Sequence, residues 1–164
     1  MPIDGNTFKL LGGSTAGAVS VVAAYDRTGR DIVAFTVSSF VALSYEPPLA
    51  MFAIQHRADS YAAVIESKAF GVSLLAADQT NLAQQFASKG RDKIKNASFE
   101  SGSALEVPLL PGSLGHIECR TNEVFTSGDH AIIVGLIEAA RVREGHPLLY
   151  FARRYGSFSP LPSP

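Results

Sequence analysis

The chain has 164 residues and a formal net charge of -1, and 46% of its residues are hydrophobic. This length is typical of one domain that buries a hydrophobic core. The nearly balanced charge offers no attractive field to a polyanion, so it argues against nucleic acid or an anionic membrane surface as a partner.

No residue from Leu10 to Tyr25 is charged, which raises the question of a membrane anchor. Glycine, serine and threonine interrupt this stretch, however, and no basic leader precedes it. The pattern therefore predicts neither a signal peptide nor a membrane span, and we expect a cytoplasmic protein.

Short apolar runs rich in β-branched residues predict a chain dominated by strands. In chain order, the predicted strands are 18–25, 31–38, 49–55, 70–75, 115–126, 131–143 and 148–151. Turns that contain glycine are predicted at 26–30 and 127–129. Many strands joined by tight turns, with few helices, indicate an all-β barrel. We expect a single domain at 1–156 and a loosely ordered, proline-rich tail at 157–164.

Two helices are predicted beside the strands. The first begins near Asp59 or Ser60, either of which is a suitable N-cap. Its apolar positions recur at helical spacing, so one face should carry Tyr61, Val64 and Ile65.

The second predicted helix follows Asp78 and presents Leu82 and Phe86, four residues apart, to the core. The polar segment that follows, 91–111, is predicted to be a solvated loop. A lid over a site is the alternative, because long loops often serve that purpose.

Conventional catalytic motifs are missing from the sequence: no Gly-x-Ser-x-Gly, P-loop or Gly-x-Gly-x-x-Gly occurs. His116 and Cys119 form a His-x-x-Cys, but their spacing on a strand places them on opposite faces and no second ligand pair is present. We therefore predict a structural role for both and no metal site. The single cysteine also excludes an internal disulfide and favours an intracellular protein. A chain of this kind suits chemistry that a cofactor supplies and the protein positions.

The most informative segment is 32–54, in which two apolar runs flank a cluster of hydroxyls. Hydroxyl residues follow the first run at 36–39, where a polar ligand can be held against an apolar wall. Glu46, Pro47 and Pro48 then break the chain between two strands, since proline lacks a backbone donor and restricts the residue before it.

In this order the residues resemble the flavin reductase-like family, the FMN-binding split barrels. The family's segment reads roughly Thr-x-x-Ser-Phe, a spacer, then Ser-x-x-Pro-Pro-Leu. Similar blocks occur, in family order, at 8–9, 16–22, 70–75, 82–87, 117–119, 128–135, 147–151 and 154–155. The resemblance implies an antiparallel Greek-key split β-barrel with flanking helices. It also implies a homodimer whose sites are completed near the subunit interface.

The resemblance implies FMN as the bound flavin, with FAD accepted. Main-chain groups of the strand at 34–39 would meet the flavin ring, while Ser60 and Lys89 would reach the phosphate. For Phe86 the alternative is core packing on Leu82, and for Lys89 it is a solvated side chain. The implied flavin-binding residues are Ala34, Phe35, Thr36, Val37, Ser38, Ser39, Phe40, Ala53, Ile54, Gln55, Ser60, Phe86, Ala87, Ser88 and Lys89.

The same resemblance assigns His130, Tyr155 and Arg154 to the nicotinamide side. A turn histidine is the alternative for His130, and a solubilising surface charge is the alternative for Arg154. Asp129 is interpreted as a turn former. Hydride transfer requires no protein acid or base, so positioning near His130 is the expected contribution.

The resemblance implies an NAD(P)H:flavin oxidoreductase that supplies reduced flavin to a partner monooxygenase, with NADH preferred slightly over NADPH. Two alternatives stay open: a flavin-binding electron carrier or sensor, and a flavin-dependent reductase of another acceptor such as a metal or corrinoid. One departure from the family pattern concerns the pocket, because many members have Gly-Met-Thr at 34–36. Phe35 would then pack beneath the ring or tighten the pocket.

Overall fold

Strands dominate the computed structural model, which describes residues 2–161. The helices are α1 (Gly5–Gly13), α2 (Tyr61–Glu66) and α3 (Thr80–Ala87), with short 3-10 helices at Ala77–Gln79 and Arg91–Ile94. The strands are β1 (Gly17–Ala18), β2 (Ser20–Tyr25), β3 (Ile32–Val37), β4 (Val41–Ser44), β5 (Leu49–Gln55), β6 (Ala69–Leu74), β7 (Glu100–Ser101), β8 (Pro108–Leu109), β9 (Gly115–Ser127), β10 (His130–Val142), β11 (Leu148–Phe151) and β12 (Arg154–Ser157). The last three positions of the predicted tail, 162–164, lie outside the described residues.

One antiparallel sheet of seven strands forms the body of the protein, in the order β3-β2-β6-β9-β10-β5-β4. The sheet curves on itself and brings its edge strand β3 towards β5, where the Ser39 hydroxyl bonds both the amide and the carbonyl of Ala53. We call this junction between β3 and β5 the seam. A strand-dominated barrel that stays open along one seam confirms the predicted split β-barrel.

The interior of the barrel is filled by aromatic rings that contact one another. Phe52 lies between Phe35 and Phe70, with ring centroids 5.8 Å and 5.2 Å away. Gly135 on β10 permits this packing, because a Cβ there would lie 2.5 Å from Phe70. The bulge between Val134 and Gly135 bends the long hairpin at the same point.

A second hydrophobic cluster lies outside the barrel, between the sheet and α3. Phe86 and Ala83 of α3 are buried there, together with Leu148 of β11. Leu82 packs against the same cluster. The predicted orientation of the second helix, with Leu82 and Phe86 towards the core, is therefore confirmed.

The first predicted helix is confirmed as α2, but its predicted caps are wrong. Val64 is buried, and Tyr61 and Ile65 pack against the barrel core as predicted. Ser60 precedes the helix in a helical conformation (φ -89°, ψ -6°) and makes no side-chain cap bond. A capping hydroxyl needs an extended backbone to reach the helix amides, which Ser60 lacks. Asp59 instead accepts a hydrogen bond from the amide of Gly90, at 2.8 Å.

The strands and helices that were not predicted from the sequence include α1, β4 and β12, and also β7 and β8 inside the segment 91–111 interpreted as a solvated loop. The α1 helix contains three glycines and buries none of its residues, and Asp4 caps it by accepting from the amides of Asn6 and Thr7. The β4 strand ends before the predicted break at 46–48, which is confirmed as the turn between β4 and β5. The β12 strand extends to Ser157, one residue past the predicted domain boundary. Within the described residues, no helix is both long and apolar enough to cross a membrane.

Candidate functional site

A cleft of about 800 Å³ lies along the seam, between β3, β5, the start of α2 and the end of α3. Its residues come from four separate parts of the chain, which the sheet brings together. The predicted residues that line it are Phe35, Thr36, Val37, Ser38, Ser39, Ala53, Ile54, Gln55, Ser60, Phe86, Ala87, Ser88, Lys89 and His130.

Strand β3 forms one wall of the cleft, and its side chains are fixed by the protein itself. Phe35 packs into the barrel core against Phe52, so its ring is a core group. The hydroxyl of Thr36 donates to the carbonyl of Ala83, at 2.7 Å, and that of Ser39 bonds to Ala53. These two hydroxyls therefore anchor the wall, and their protons are already used. That they also contact a ligand stays a prediction.

Hydroxyl and ammonium groups converge at the α3 end of the cleft. Ser60 is 4% exposed and its hydroxyl makes no hydrogen bond among the described residues. Lys89 extends into solvent, whereas Lys93, from the 3-10 helix after α3, is half-buried in the cleft wall. This end of the cleft is suited to an anionic group.

His130 marks the opposite end, where β5 and β10 pair through Gln55. Its Nδ1 lies 2.7 Å from the Asp129 carboxylate, and 38% of its side chain is exposed. The hydrogen bond from His130 is the largest cause that lowers the pKa of Asp129. Arg57 donates to Gln55 at 3.0 Å, and its positive charge also lowers the pKa of Asp129.

Four cleft residues were not predicted from the sequence: Arg57, Ala58, Asp59 and Lys93. The first three lie in the loop before α2, adjacent to predicted positions. Lys93 belongs to the segment interpreted as a solvated loop. The feature of the sequence that could have indicated its position is Gly90. This glycine has a φ of 86° and turns the chain back towards the cleft.

Four predicted site residues do not line the cleft. The Ala34 side chain is buried in the hydrophobic cluster between the sheet and α3, and Phe40 packs on the barrel core. Arg154 and Tyr155 lie on the three-stranded sheet β1-β11-β12, along a separate cavity of about 620 Å³. Burial raises the pKa of Tyr155, whose ring packs against Tyr150.

A second polar region, the Glu118 cluster, lies on the far side of the sheet. We define it as the Glu118 carboxylate and the amides that surround it. Glu118 is 4% exposed and accepts from the amides of Ser103, Ala104 and Leu105, at 2.7, 2.9 and 2.6 Å. Desolvation acts to raise the pKa of Glu118, but these donors together outweigh it and lower the pKa. The cluster fixes the chain before β8.

His116 and Cys119 have the structural roles that the sequence predicts. The His116 ring bonds the carbonyl of Leu110 at 2.6 Å and the guanidinium of Arg141 at 2.7 Å. Cys119 is buried in the barrel core, and this burial raises the pKa of its thiol to about 12. Among the described residues, no three His, Cys, Asp or Glu side chains are arranged to hold a metal.

The cleft combines main-chain groups of β3, an apolar surface towards the barrel core and the unpaired hydroxyl of Ser60. Positively charged side chains lie at both of its ends, lysines at one and Arg57 at the other. A planar ligand with an anionic tail fits such a surface. The cleft therefore suits binding and orientation of a reactive molecule.

Two relatives of this chain are named as reductases. The reductase component of 4-hydroxyphenylacetate 3-monooxygenase from Thermus thermophilus is 39% identical over 141 residues, 85% of this chain and 87% of that protein. The FMN reductase (NADH) SmoA of Agrobacterium fabrum is 34% identical over 151 residues, 91% of this chain and 83% of that protein.

The fold has close structural neighbours. The crystal structure of BorF, the flavin reductase component of a bacterial two-component tryptophan halogenase, superposes with a TM-score of 0.87. It is 28% identical, over 96% of this chain and all of that one. The sequence model of a protein family, described as the flavin reductase like domain, matches residues 12–159 of this chain. The chain therefore belongs to the flavin reductase-like family.

Proposed function

We propose that this protein is an NAD(P)H-dependent flavin reductase that uses FMN, accepts FAD, and prefers NADH slightly over NADPH. The observation that supports this most directly is the seam cleft, which gathers most of the residues that the family resemblance assigns to flavin. The relatives named FMN reductase (NADH) and reductase component of a monooxygenase support the same activity.

The residues of the cleft fit a flavin. Its volume, about 800 Å³, is within the range of pockets that enclose a cofactor. The main chain of β3 would hold the polar edge of the ring, and Ile54 on β5 would contribute an apolar surface. The unpaired Ser60 hydroxyl and a lysine at the α3 end suit the phosphate.

Bound flavin supplies the chemistry, since it accepts a hydride from a nicotinamide. The chain's part is to hold two rings in contact, for which no acid or base is required. His130, at the end of the cleft away from the lysines, would contact the dinucleotide. Asp129 would hold the His130 ring in place through its Nδ1.

The proposal includes release of reduced flavin to a separate monooxygenase. The cleft is open to solvent along one side, which favours exchange of the flavin over permanent retention. A carrier or sensor would instead keep its flavin through purification. We also propose that the protein is cytoplasmic, because the nicotinamide coenzymes that it would use are present in the cytoplasm.

We propose that the protein works as a homodimer. Exposed apolar side chains on and after the edge strand β4 support this, since Leu43 is 47% and Tyr45 95% exposed. The α1 helix buries none of its residues within one chain, so it also has surface to offer to a second copy. Light scattering after size-exclusion chromatography tests this. A mass of 17.4 kDa at micromolar concentration, that of one chain, would refute the dimer.

Stopped-flow mixing tests the activity. NADH is mixed with the protein and FMN, and the flavin absorbance band is followed. Bleaching of the band, at a rate that increases with protein concentration, is the expected result. An unchanged band would refute the reductase activity. A yellow protein that keeps its flavin through dialysis would favour the carrier.

A further inference from the structure

Lys93 is half-buried in the cleft wall, whereas Lys89, the cation predicted from the sequence, is exposed. Its Nζ lies 3.3 Å from the carbonyl oxygen of Ser88 and 3.5 Å from that of Phe86. These carbonyls are at the C-terminal end of α3, where the helix dipole favours a cation. Lys89 is exposed to solvent.

The position of Lys93 is fixed by two contacts of the backbone around it. The side-chain amide of Gln85 donates to the carbonyl of Lys93, at 2.7 Å, and ties the 3-10 helix to α3. The amide of Gly90 donates to the Asp59 carboxylate, at 2.8 Å, and ties the same segment to the loop before α2. A cation held in this way is oriented before any ligand arrives, which reduces the entropy lost on binding.

The ammonium group of Lys93 also gains from a nearby anion. Burial lowers its pKa, and the Asp59 carboxylate acts in the opposite direction. A phosphate in the cleft would further stabilise the charged form. The Ser60 hydroxyl, which has no partner among the described residues, lines the same part of the cleft.

Behind Lys93 lies a smaller cavity of about 190 Å³, which shares Asp59, Ser60 and Lys93 with the cleft. A further carboxylate, that of Asp26, lines it. A hydrogen bond from the Thr28 hydroxyl is the largest cause that lowers the pKa of Asp26, so this carboxylate stays ionised at neutral pH. A second phosphate directed into this cavity would meet negative charge.

We propose that Lys93 is the cation that binds the flavin's phosphate, and that the carboxylates behind it favour FMN over FAD. This inference rests on the proposed function, because it concerns the same cleft. FMN carries a single phosphate, close to a dianion at neutral pH, whereas FAD carries a diphosphate that continues into an adenosine.

A binding experiment with three flavins distinguishes the contribution of the phosphate to affinity from that of the ring. Riboflavin has the ring and no phosphate, so its affinity reports ring contacts alone. Quenching of flavin fluorescence gives the dissociation constants of riboflavin, FMN and FAD for the wild type and for Lys93→Met, Lys93→Arg and Lys89→Met. Lys89→Met tests the other lysine of the cleft. The matched control is Lys95→Met, measured in the same way, since it removes the same charge from an exposed position of the same segment that does not line the cleft.

Lys93→Met should weaken FMN by about ten- to a hundredfold, which is the effect of one lost charge-assisted hydrogen bond. Riboflavin affinity should stay within about twofold, and Lys93→Arg should restore most of the preference for FMN. Lys89→Met should change neither affinity by more than about twofold, because an exposed charge is screened.

Equal weakening of FMN and riboflavin by Lys93→Met would overturn the assignment, because a general disturbance of the cleft acts on both. An FMN-specific loss with Lys89→Met and none with Lys93→Met would assign the phosphate to Lys89 instead. If the wild type binds none of the three flavins, the proposed function itself fails, and this inference fails with it.

Asp59→Asn tests the carboxylates, since asparagine keeps an acceptor for the amide of Gly90 and removes the charge. FAD affinity should rise about three- to tenfold relative to FMN, an effect typical of removing one nearby like charge. An unchanged ratio of FAD to FMN affinity would refute the role of these carboxylates in that preference.

Discussion

The two polar regions of this molecule, the cleft and the Glu118 cluster, differ in how their polar groups are satisfied. Glu118 is as buried as Ser60, yet its carboxylate accepts hydrogen bonds from three backbone amides and from the Ser103 hydroxyl. The Ser60 hydroxyl has no partner among the described residues. Both regions border cavities, of about 310 Å³ beside Glu118 and about 800 Å³ in the cleft. The Glu118 carboxylate is already satisfied by the protein, whereas the Ser60 hydroxyl is a polar group of the cleft wall that a ligand can satisfy.

The largest effect on stability is expected when the hydrogen bonds to the Glu118 carboxylate are broken. Glu118→Gln places an amide NH2 against backbone donors, and we expect a loss of about 2–4 kcal/mol in the free energy of unfolding. Urea denaturation at neutral pH measures it, with the exposed Glu144→Gln as the control. Flavin affinity of the folded variant should not change. A loss of flavin affinity without a loss of stability would reverse the assignment of the two regions.

The same substitution has a predictable pH dependence. The pKa of Glu118 is lowered in the folded state, so its stabilising effect is present above the unfolded pKa of about 4.3 and disappears as pH falls through the folded value. The stability difference between wild type and Glu118→Gln should therefore be constant near neutral pH and shrink below about pH 4. A difference that persists in acid would contradict a role for the ionised carboxylate.

His130→Ala should separate the two ligands of the cleft. His130 lies at the end opposite the lysines, so we expect the KM for NADH to rise by about tenfold, or about 1.4 kcal/mol. The dissociation constant of FMN should change by less than about twofold. His146, an exposed histidine that is not part of the cleft, provides the control variant His146→Ala. Equal losses for both ligands would indicate a structural histidine.

The smallest effect is expected for Thr36. This residue lines the cleft, but its hydroxyl already has a hydrogen-bond partner within the protein, as the Glu118 carboxylate does. Its hydroxyl donates to the carbonyl of Ala83, so Thr36→Val should cost about 1 kcal/mol of stability and leave flavin affinity unchanged. Thr126→Val, at an exposed position of β9, is the control for the denaturation measurement. A loss of flavin affinity beyond about threefold would show that the hydroxyl also serves the ligand.

Six of the seven strands of the barrel were predictable because each contains a local apolar run, whereas the short strand β4 was missed. The family resemblance supplied the rest of the site, because the cleft residues are distant in sequence and only the sheet brings them together. Lys93 was missed for a physical reason. Its place in the cleft depends on the turn at Gly90 and on contacts to Gln85 and Asp59, none of which has a local pattern. The cap of α2 was predicted wrongly because residue type alone does not specify φ and ψ.

The seam between β3 and β5 has a consequence for how such a protein changes during evolution. Because the backbone ladders run continuously from β3 round to β4, they do not depend on the side chains that face the cleft. Substitutions along the seam can therefore accumulate without unravelling the sheet. A lineage with this architecture is free to exchange its flavin, nucleotide or delivery partner one residue at a time while the barrel is inherited intact.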